Sequence, residues 1–438
     1  MFDTKREICI FWFRRDLRLE DNAALFRALT SGYQVLPIFI FDKNILNQFE
    51  KGKNAQVEFI HKQLISLKTK LQRLNSSIIV THSTPCEFFK QITDNYSVKA
   101  VYANEDYELL ARKRDAEIER LLNAKEIQFH TCKDQVIFSK DDILKDDGAP
   151  YTVFTPYSRK WNSCFKPEHI IPYNCEVYFN NFVHFEYPDC PSLSELGYES
   201  SRITFPSSEI NEQLIQNYNI YRDYPALEAT SRLSIHLRFG TISIRKLVSK
   251  AYKLSDIFLN ELIWREFYFA ITWHFPHIAD GYSFKRKYDD IAWRNNEDDF
   301  KAWCEGKTGY PFVDAGMRQL NATGFMHNRA RMITASFLAK HLLIDWRWGE
   351  HYFANKLLDF DFSANNGGWQ WAAGSGCDAA PYFRIFNPEL QALKFDKDGK
   401  YIQKWIPEIN TNKYPKPIVD HDFARNRALE VYQKALKD

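Results

Sequence analysis

The densest group of residues that could do chemistry lies between positions 358 and 388. Two carboxylates, Asp359 and Asp361, precede the run Asn365-Asn366-Gly367-Gly368-Trp369-Gln370-Trp371. Adjacent glycines let a backbone approach a ligand closely, and the acids and amides offer acceptors and donors to a heteroaromatic ring. The two aspartates could instead bind a metal or act as an acid–base pair. No His or Cys joins them, which disfavours a metal site.

A hydroxyl-rich run comes earlier in the chain, just before a helical stretch. Hydroxyls and free N–H groups at a helix start suit a phosphate. An ordinary helix cap explains the same residues equally well. The run consists of Thr230, Ser231, Arg232, Leu233 and Ser234.

One helical segment combines a carboxylate, an indole and a guanidinium on a single face. Glu261, Trp264, Arg265 and Tyr268 share that face by three and four spacing. This set is unusual for a protein core. It suits a binding surface, and a solvated amphipathic edge is the alternative.

A second helical segment begins after His327. Asn328, Arg331 and Met332 share one face of this segment, whereas Arg329 points elsewhere. A guanidinium free of that face could reach a phosphate.

Aromatic residues make up 16% of the 438 residues, and eight of the eleven tryptophans fall between Trp264 and Trp371. This clustering indicates either a Trp-rich core or a surface that uses flat rings for stacking or for electron transfer. The composition is otherwise that of an ordinary globular protein, with 45% hydrophobic and 26% charged residues and a net charge of +2.

The eight cysteines include no CxxC pair, which indicates a reducing compartment and no zinc site. The first residues lack the layout of a signal peptide. No apolar run reaches the roughly 18–20 residues that span a bilayer. We therefore expect a cytoplasmic protein that does not enter the membrane.

The elements that must position these residues fall into two classes. Short apolar runs at 8–13, 35–41, 78–81 and 100–102 alternate with helical patterns at 56–71, 85–96 and 107–124. This alternation predicts an α/β domain with a doubly wound parallel sheet. No GxGxxG occurs there, which disfavours a dinucleotide on the first turn.

The rest of the chain is predicted to be a linker followed by an all-α domain. Residues 131–210 include a stretch rich in Pro, Asn, Tyr and Ser, with weak periodicity. The patterns at 259–275, 310–322 and 328–343 are helical. The predicted division is residues 1–130 for the α/β domain, 131–210 for the linker and 211–438 for the helical domain.

Two motifs carry a resemblance to a known family. FWFRRDLRLEDN at 11–22 and NNGGWQWAAGSGCDAAPYFRIFNP at 365–388 resemble the photolyase/cryptochrome flavoproteins. The closest pattern is that of class I cyclobutane-pyrimidine-dimer photolyases. The resemblance implies a non-covalent FAD in the helical domain, which agrees with the missing glycine motif of the α/β domain.

The resemblance assigns FAD-binding roles by motif match. Tyr218 and the 230–234 run would bind FAD, with the run at its phosphates. Asp359 and Asp361 would hold the ribose and the flavin edge, and Arg331 would pair near the flavin. Asn365 would face the flavin N5 and stabilise the reduced ring.

The partner implied by the resemblance is UV-damaged DNA with a flipped-out pyrimidine dimer, bound by a monomer. Trp264 and Trp371 would stack on the dimer, and Glu261 would hydrogen-bond it and stabilise its radical anion. Further residues would complete the DNA site. They are Asn328 and Met332 in the cavity, Arg265 beside Glu261, and Arg222 and Arg329 at the phosphates.

The implied chemistry is electron transfer. Photoexcited, fully reduced FAD would give an electron to the dimer, the cyclobutane ring would split, and the electron would return. Trp293, Trp346 and Trp369 would conduct electrons from the surface to the flavin. The remaining clustered tryptophans, namely Trp273, Trp303 and Trp348, are expected in the core.

Two alternatives and the antenna remain open at this point. Six-four photolyases place a His pair at the lesion, whereas position 332 is Met. Signalling cryptochromes often carry a long polar extension, and here 31 residues follow Pro407. Glu108 matches a folate-binding glutamate, but Ala279-Asp280 replaces the expected Cys-Lys pair. A second chromophore would thus be folate, a deazaflavin or a flavin, or would be absent.

Overall fold

Two β-sheets lie in the first half of the chain in the computed structural model, which describes residues 6–186 and 189–437. The larger is a five-stranded parallel sheet with the order β4-β2-β1-β5-β6, and β3 pairs with β7. The strands are β1 (Ile8–Phe13), β2 (Gln34–Asp42), β3 (Gly52–Lys53), β4 (Ile79–Ser83), β5 (Val98–Asn104), β6 (Gln128–Cys132) and β7 (Tyr198–Glu199).

The helices connect the parallel strands and then continue without further strands. They are α1 (Ala23–Leu29), α2 (Lys43–Leu46), α3 (Ala55–Gln72), α4 (Pro85–Asn95), α5 (Leu109–Asn123), α6 (Phe154–Cys164), α7 (Glu212–Gln216), α8 (Tyr218–Tyr221), α9 (Ser234–Arg238), α10 (Ile244–Leu254), α11 (Asp256–His274), α12 (Glu297–Glu305), α13 (Pro311–Thr323), α14 (Asn328–Ser336), α15 (Trp346–Lys356), α16 (Phe362–Ala373), α17 (Pro388–Phe395), α18 (Lys400–Trp405) and α19 (His421–Leu436). Short 3₁₀ turns lie at Pro167–Ile170, Cys175–Asn181, Pro276–Asp280 and Arg286–Asp290, and a π-helical turn lies at Phe337–His341.

The strand order makes the sheet doubly wound, as predicted. The chain moves from β1 to β2 to β4 in one direction and then returns to β5 and β6 on the other side of β1. Right-handed crossovers place the connecting helices on opposite faces for the two directions. All six residues of β1 are buried because this central strand is covered on both faces.

One strand of the five-stranded sheet escaped the sequence prediction, as did the two-residue strands β3 and β7. β6 lies at the sheet edge, and the sequence QFHTC alternates without a run of apolar residues. Only half-buried or exposed positions occur along it. Apolar periodicity is weak where one side of a strand faces water, so this edge was not predicted.

The chain forms two compact units that interleave along the sequence. The first unit comprises residues 1–139, 164–210 and 232–253, and the second comprises 140–163, 211–231 and 254–438. This differs from the predicted division at 130 and 210. Residues 164–210 pack with the sheet because Phe182 and Val183 are buried and Val183 donates its N–H to the Val35 carbonyl at 2.9 Å.

The second unit is helical, as predicted, and its core lies among α11 and α13 to α16. Two glycines set the closest approaches there. A Cβ at Gly367 on α16 would collide with the Tyr268 ring on α11, and a Cβ at Gly349 on α15 would collide with the Trp369 ring. These helices therefore pack at a separation that only glycine permits. Among the described residues, no helix has the length and apolar character to cross a membrane.

Candidate active site

The N-terminus of α16 places the predicted aspartates. Asp361 is the cap residue, and its carboxylate accepts the N–H of Ser363 at 3.1 Å and of Ala364 at 3.3 Å. Asp359 accepts two bonds from Nη2 of Arg331, at 3.2 and 3.1 Å. Arg331 is in turn fixed by its Nε, which donates to the Met326 carbonyl at 2.8 Å. The structure thus brings Asp359 and Arg331 together as an ion pair.

Asn365 lies on the first turn of α16 and bonds to a glutamate of α15. Its Nδ2 donates to Glu350 Oε1 at 2.9 Å and to the Glu350 carbonyl at 3.1 Å. Burial raises the pKa of Glu350, and the bond from Asn365 opposes that rise. Because the amide nitrogen is engaged, the amide oxygen is left to accept a bond from another group.

The residues predicted to hold FAD fit such a group. The amide nitrogen of Asn365 is hydrogen-bonded to Glu350, and its amide oxygen can accept a bond from a ligand. The Arg331–Asp359 pair offers a donor beside an acceptor. A Cβ at Gly368 would meet no protein atom within 4 Å, so the backbone is open on that side. A flavin edge presents both N–H donors and carbonyl acceptors, which this set can satisfy.

Tyr218 stands beside the face of α11 that carries Glu261. Its ring meets Phe258 edge-on at 5.1 Å, and the Arg222 guanidinium lies 5.2 Å from its centroid. Burial, and secondarily the Glu261 charge, raise the pKa of Tyr218 to about 12. The phenol is therefore neutral and can act as a donor.

The hydroxyl-rich run at 230–234 precedes only the five-residue helix α9. Leu233 occupies the cap position, and it provides no side-chain cap bond to α9. Arg232 has a left-handed backbone with φ of 52°. The boundary between the two units falls within this run, after Ser231.

Glu261 is half-buried on α11 and already holds a cation. Arg222 Nη1 donates to Glu261 Oε1 at 2.6 Å. The predicted amphipathic face is present, since Glu261, Trp264, Arg265 and Tyr268 are all half-buried, between fully buried neighbours. The Arg265 guanidinium lies over the Phe269 ring at 4.6 Å.

The two predicted stacking tryptophans each have an aromatic neighbour. Phe154 of α6 stacks on Trp264 with ring centroids 3.7 Å apart and planes 7° apart. Phe386 lies nearly parallel to Trp371, at 27° and 6.4 Å. Phe154 covers one face of Trp264, so a base could stack only on the other face.

The loop before α14 and the first turns of this helix carry a linked set of polar groups. Arg329 Nη2 donates to Asp223 at 2.5 Å, and its guanidinium lies 4.2 Å from the Phe395 ring centroid. Met332 Sδ lies 3.8 Å from Asn328 Nδ2 and 3.7 Å from Arg329 Nη1. His327 caps the helix through Nδ1, and burial lowers its pKa to about 4.

Trp369 and Trp346 are buried in the helical core, and Trp293 lies at its margin. Trp369 and Trp346 are 2% and 1% exposed, and Trp293 is half-buried. Within the described part of the chain, none of the three indole N–H groups has a hydrogen-bond partner. The core tryptophan Trp303 differs, because it donates to the Thr334 carbonyl at 3.1 Å.

Glu108, the predicted antenna residue, is engaged within the sheet unit. Its Oε1 accepts from Arg15 at 2.9 Å and from Arg238 at 2.8 Å. Both arginines are largely buried, so the glutamate compensates two cations. The structure gives Glu108 a structural role in this unit.

Four contacts of the site were not predicted from the sequence, and they are made by Phe154, Asp223, Lys340 and Glu350. Asp223 directly follows the predicted DNA-binding residue Arg222, so its charge could have indicated a role in the site. Glu350 lies on α15 four residues after Trp346, hence on the same face, which was a weaker signal. Nothing local marks Phe154 or Lys340, since their partners lie 110 and 44 residues away.

The comparison with known proteins agrees with this geometry. A family model described as DNA photolyase matches residues 9–174, and one described as the FAD binding domain of DNA photolyase matches residues 258–413. The chain is 37% identical to the deoxyribodipyrimidine photo-lyase of Vibrio cholerae, over 97% of this chain and 99% of that protein.

Two solved structures share both fold and sequence with the chain. A class III photolyase from Agrobacterium tumefaciens superposes with a TM-score of 0.87 and 32% identity, covering 100% of this chain and 99% of that one. A photolyase from Sulfolobus tokodaii that holds two FAD molecules gives 0.82 and 32%, with 98% and 100% covered. The chain therefore belongs to the DNA photolyase family, the FAD-binding lyases that use light to repair pyrimidine dimers in DNA.

Proposed function

We propose that α11, α14 and α16 together hold FAD and a flipped-out cyclobutane pyrimidine dimer, with each predicted site residue in the role given above. The observation that carries the proposal is the packing of α16 on α11 through Gly367 and Tyr268. This contact sets Asn365 and Trp371 on one helix beside Glu261 and Trp264 on the other. We therefore expect a cofactor group and a substrate group to share the space beside these two helices.

FAD supplies light-driven electron donation when it is bound. Asn365 directs its amide oxygen toward the flavin, because Glu350 holds the amide nitrogen. Arg331 and Asp359 fix a donor and an acceptor at the flavin edge, and Tyr218 and the 230–234 run complete the FAD contacts. These residues orient the cofactor; none of them exchanges a proton in the repair step.

Trp264 and Trp371 stack on the dimer, and Glu261 hydrogen-bonds it. The Phe154 ring packs against one face of Trp264. The other face of Trp264 is left for the dimer. Glu261 keeps its geometry before DNA binds because Arg222 holds one of its oxygens at 2.6 Å. The second oxygen is left for the dimer.

Trp369, Trp346 and Trp293 deliver electrons for cofactor reduction. The inner two are buried without an acceptor for their indole protons. An electron can therefore leave these rings without a coupled proton transfer. The half-buried Trp293 is the proposed entry point for electrons from external reductants.

DNA phosphates would be bound by Arg222 and Arg329. Arg265 would complete the DNA site beside Glu261, and Asn328 and Met332 would line the dimer cavity. Because a single chain supplies every site residue, we propose a monomer. An enzyme whose substrate is DNA works where the DNA is, which we propose to be the cytoplasm. Membership of class I stays a prediction, as does a second chromophore at Glu108.

One assay tests the proposed substrate. The protein, with chemically reduced FAD, is illuminated with blue light in the presence of an oligonucleotide containing one thymine dimer or one six-four photoproduct. We expect restoration of thymines only from the dimer. Repair of the six-four lesion alone would overturn the substrate, and binding of both without repair would make the chain a sensor of the cryptochrome type.

A further inference from the structure

The π-helical turn Phe337–His341 contains a lysine in the helical core. Lys340 is 1% exposed, and its neighbours Leu338 and Ala339 are fully buried. Its Nζ donates to the backbone carbonyl of Arg384 at 2.9 Å. No carboxylate lies within ion-pair distance of Lys340 among the described residues. A buried amine with one neutral acceptor is unfavourable unless its position has a use.

The surroundings of Lys340 add further positive charge. Arg384 is the charged group that acts on Lys340, and Arg427 of α19 lies nearby, where it donates to the His341 carbonyl of the same π turn. Burial, and secondarily the Arg384 charge, lower the pKa of Lys340 to about 7. A methionine would fill the same space without this cost. What the amine adds is its bond to the Arg384 carbonyl.

That bond lies beneath the loop that joins α16 to α17. The loop turns at Arg384, whose N–H donates to the Pro381 carbonyl at 2.9 Å. Its side chains face outward, since Arg384 is exposed and Phe383 is 61% exposed. The Arg384 guanidinium lies 5.5 Å from the Phe386 ring, and Phe386 lies against Trp371.

We propose that Lys340 is a positioning residue for dimer recognition, holding the 381–387 loop so that Phe386 supports Trp371. Lys340 acts from inside the protein, through the Arg384 carbonyl, and does not touch the substrate. The inference rests on the proposed function, because it assumes that Trp371 stacks on the dimer.

The test compares the holoenzyme with its Lys340→Met variant on a thymine-dimer oligonucleotide and on the same oligonucleotide without damage. We expect the dissociation constant for the dimer to rise about tenfold, as for loss of part of one base-stacking contact. The constant for undamaged DNA should change little. Repair per absorbed photon at saturating DNA should stay the same, because the bound dimer reaches the same flavin.

A merely structural role gives a different result. In that case Lys340→Met would lower the melting temperature and the FAD content, and it would lower the affinity for damaged and undamaged DNA by the same factor. This result would overturn the inference. Lys68→Met is the matched control, since Lys68 is a buried lysine of the sheet unit paired with Asp189 at 2.9 Å. This control should leave the preference for damaged DNA unchanged.

Two further variants complete the test. In a protein that already carries Phe386→Ala, adding Lys340→Met should cause no further loss of dimer affinity, because both substitutions remove the same support of Trp371. Additive losses in the double variant would overturn the inference. If Lys340→Met binds less FAD, Lys340→Gln replaces it, and the same criteria apply. Trp371→Ala distinguishes this inference from the proposed function. If Trp371→Ala leaves the dimer affinity unchanged, the proposed function is refuted. If Trp371→Ala loses dimer affinity and Lys340→Met does not, only this inference is refuted.

Discussion

The Asn365 amide is oriented by Glu350, which accepts both its hydrogen bonds, one through Oε1 and one through the backbone carbonyl. The glutamate thereby determines which end of the amide is available to the cofactor. An Asn without this partner could present either end. In the proposed site, the stabilisation of reduced flavin by Asn365 would therefore depend on a residue of the neighbouring helix.

Substitution of Glu350 should change the flavin potential. Glu350→Ala removes the Oε1 acceptor and leaves the amide only its 3.1 Å bond to the backbone carbonyl, and a hydrogen bond contributes about 1 kcal/mol. Since 30 mV corresponds to about 1.4 kcal/mol for a two-electron couple, the potential should fall by about 20 mV. Spectroelectrochemical titration measures it. Glu350→Gln keeps an acceptor for Asn365 and should stay near the parent value; an equal shift in both variants would exclude the orienting role.

Trp369→Phe should slow photoreduction of oxidised FAD by at least about tenfold, because phenylalanine is a far poorer electron donor. Repair by chemically reduced protein should remain nearly intact, since that reaction does not use the tryptophan series. Flash photolysis and a repair assay give the two rates. Trp273→Phe, outside the series, is the control. Equal loss of both activities in Trp369→Phe would refute the conducting role.

Glu261→Ala should lower the repair yield more than the affinity for damaged DNA. In its proposed role Glu261 hydrogen-bonds the dimer and stabilises the radical anion, which forms only after electron transfer, so its loss would act on the reacting state. We expect a fall of several-fold in repair per photon and a smaller change in the dissociation constant. Glu261→Gln still accepts a bond from Arg222 and isolates the effect of charge. A defect confined to affinity would contradict this role.

The protein should lose stability in acid through His341. Burial lowers the pKa of His341 to about 3, with His421, Arg427 and Lys340 contributing in the same direction. The unfolded chain binds this proton near pH 6.5, so between pH 6.5 and 3 the unfolded state holds more protons and stability falls as pH falls. The full effect is about 5 kcal/mol. Denaturant titrations across this range should show a smaller loss in His341→Gln; an identical pH profile would exclude His341 as a source.

Gly349→Ala should displace Trp369. The added Cβ would collide with the Trp369 ring and lie 2.5 Å from Leu338 Cδ2. Overpacking of this kind costs about 1–3 kcal/mol, and the displaced ring should also slow photoreduction. Thermal unfolding and flash photolysis measure the two effects. The Cβ added by Gly368→Ala would have no protein atom within 4 Å, so this variant should have a melting temperature no lower than that of the parent. Equal melting temperatures of the two variants would contradict the packing argument.

The sequence predicted the classes of element well, because central strands are apolar throughout and core helices repeat every three to four residues. β1 and α13 show this directly. The segment 328–343 was predicted as one helix, but it changes to a π turn at Phe337, where tertiary packing overrides the local pattern. Within the site, Arg331 and Asp359 were both identified, yet their pairing was not, since it joins residues 28 apart.

Glu350 and Lys340 show why the rest of the site could not be predicted. Each acts through a hydrogen bond to a residue on another element, and neither belongs to the motifs that carry the resemblance. A carboxylate on a helix most often faces solvent, and a lysine almost never lies in a core unpaired. Only the packing of α15, α16 and the π turn shows that these two side chains face inward.

The pairing of Arg222 with Glu261 and of Arg329 with Asp223 has a consequence for the search along a genome. A phosphate that approaches either arginine must compete with a carboxylate already bound at 2.6 or 2.5 Å. Undamaged duplex gains little from that exchange, so it is held briefly and released. A dimer can offset the lost Arg222–Glu261 ion pair, because Glu261 would then hydrogen-bond the lesion. If these residues contact DNA as proposed, the protein would spend most of its bound time at damage and pass quickly over intact DNA.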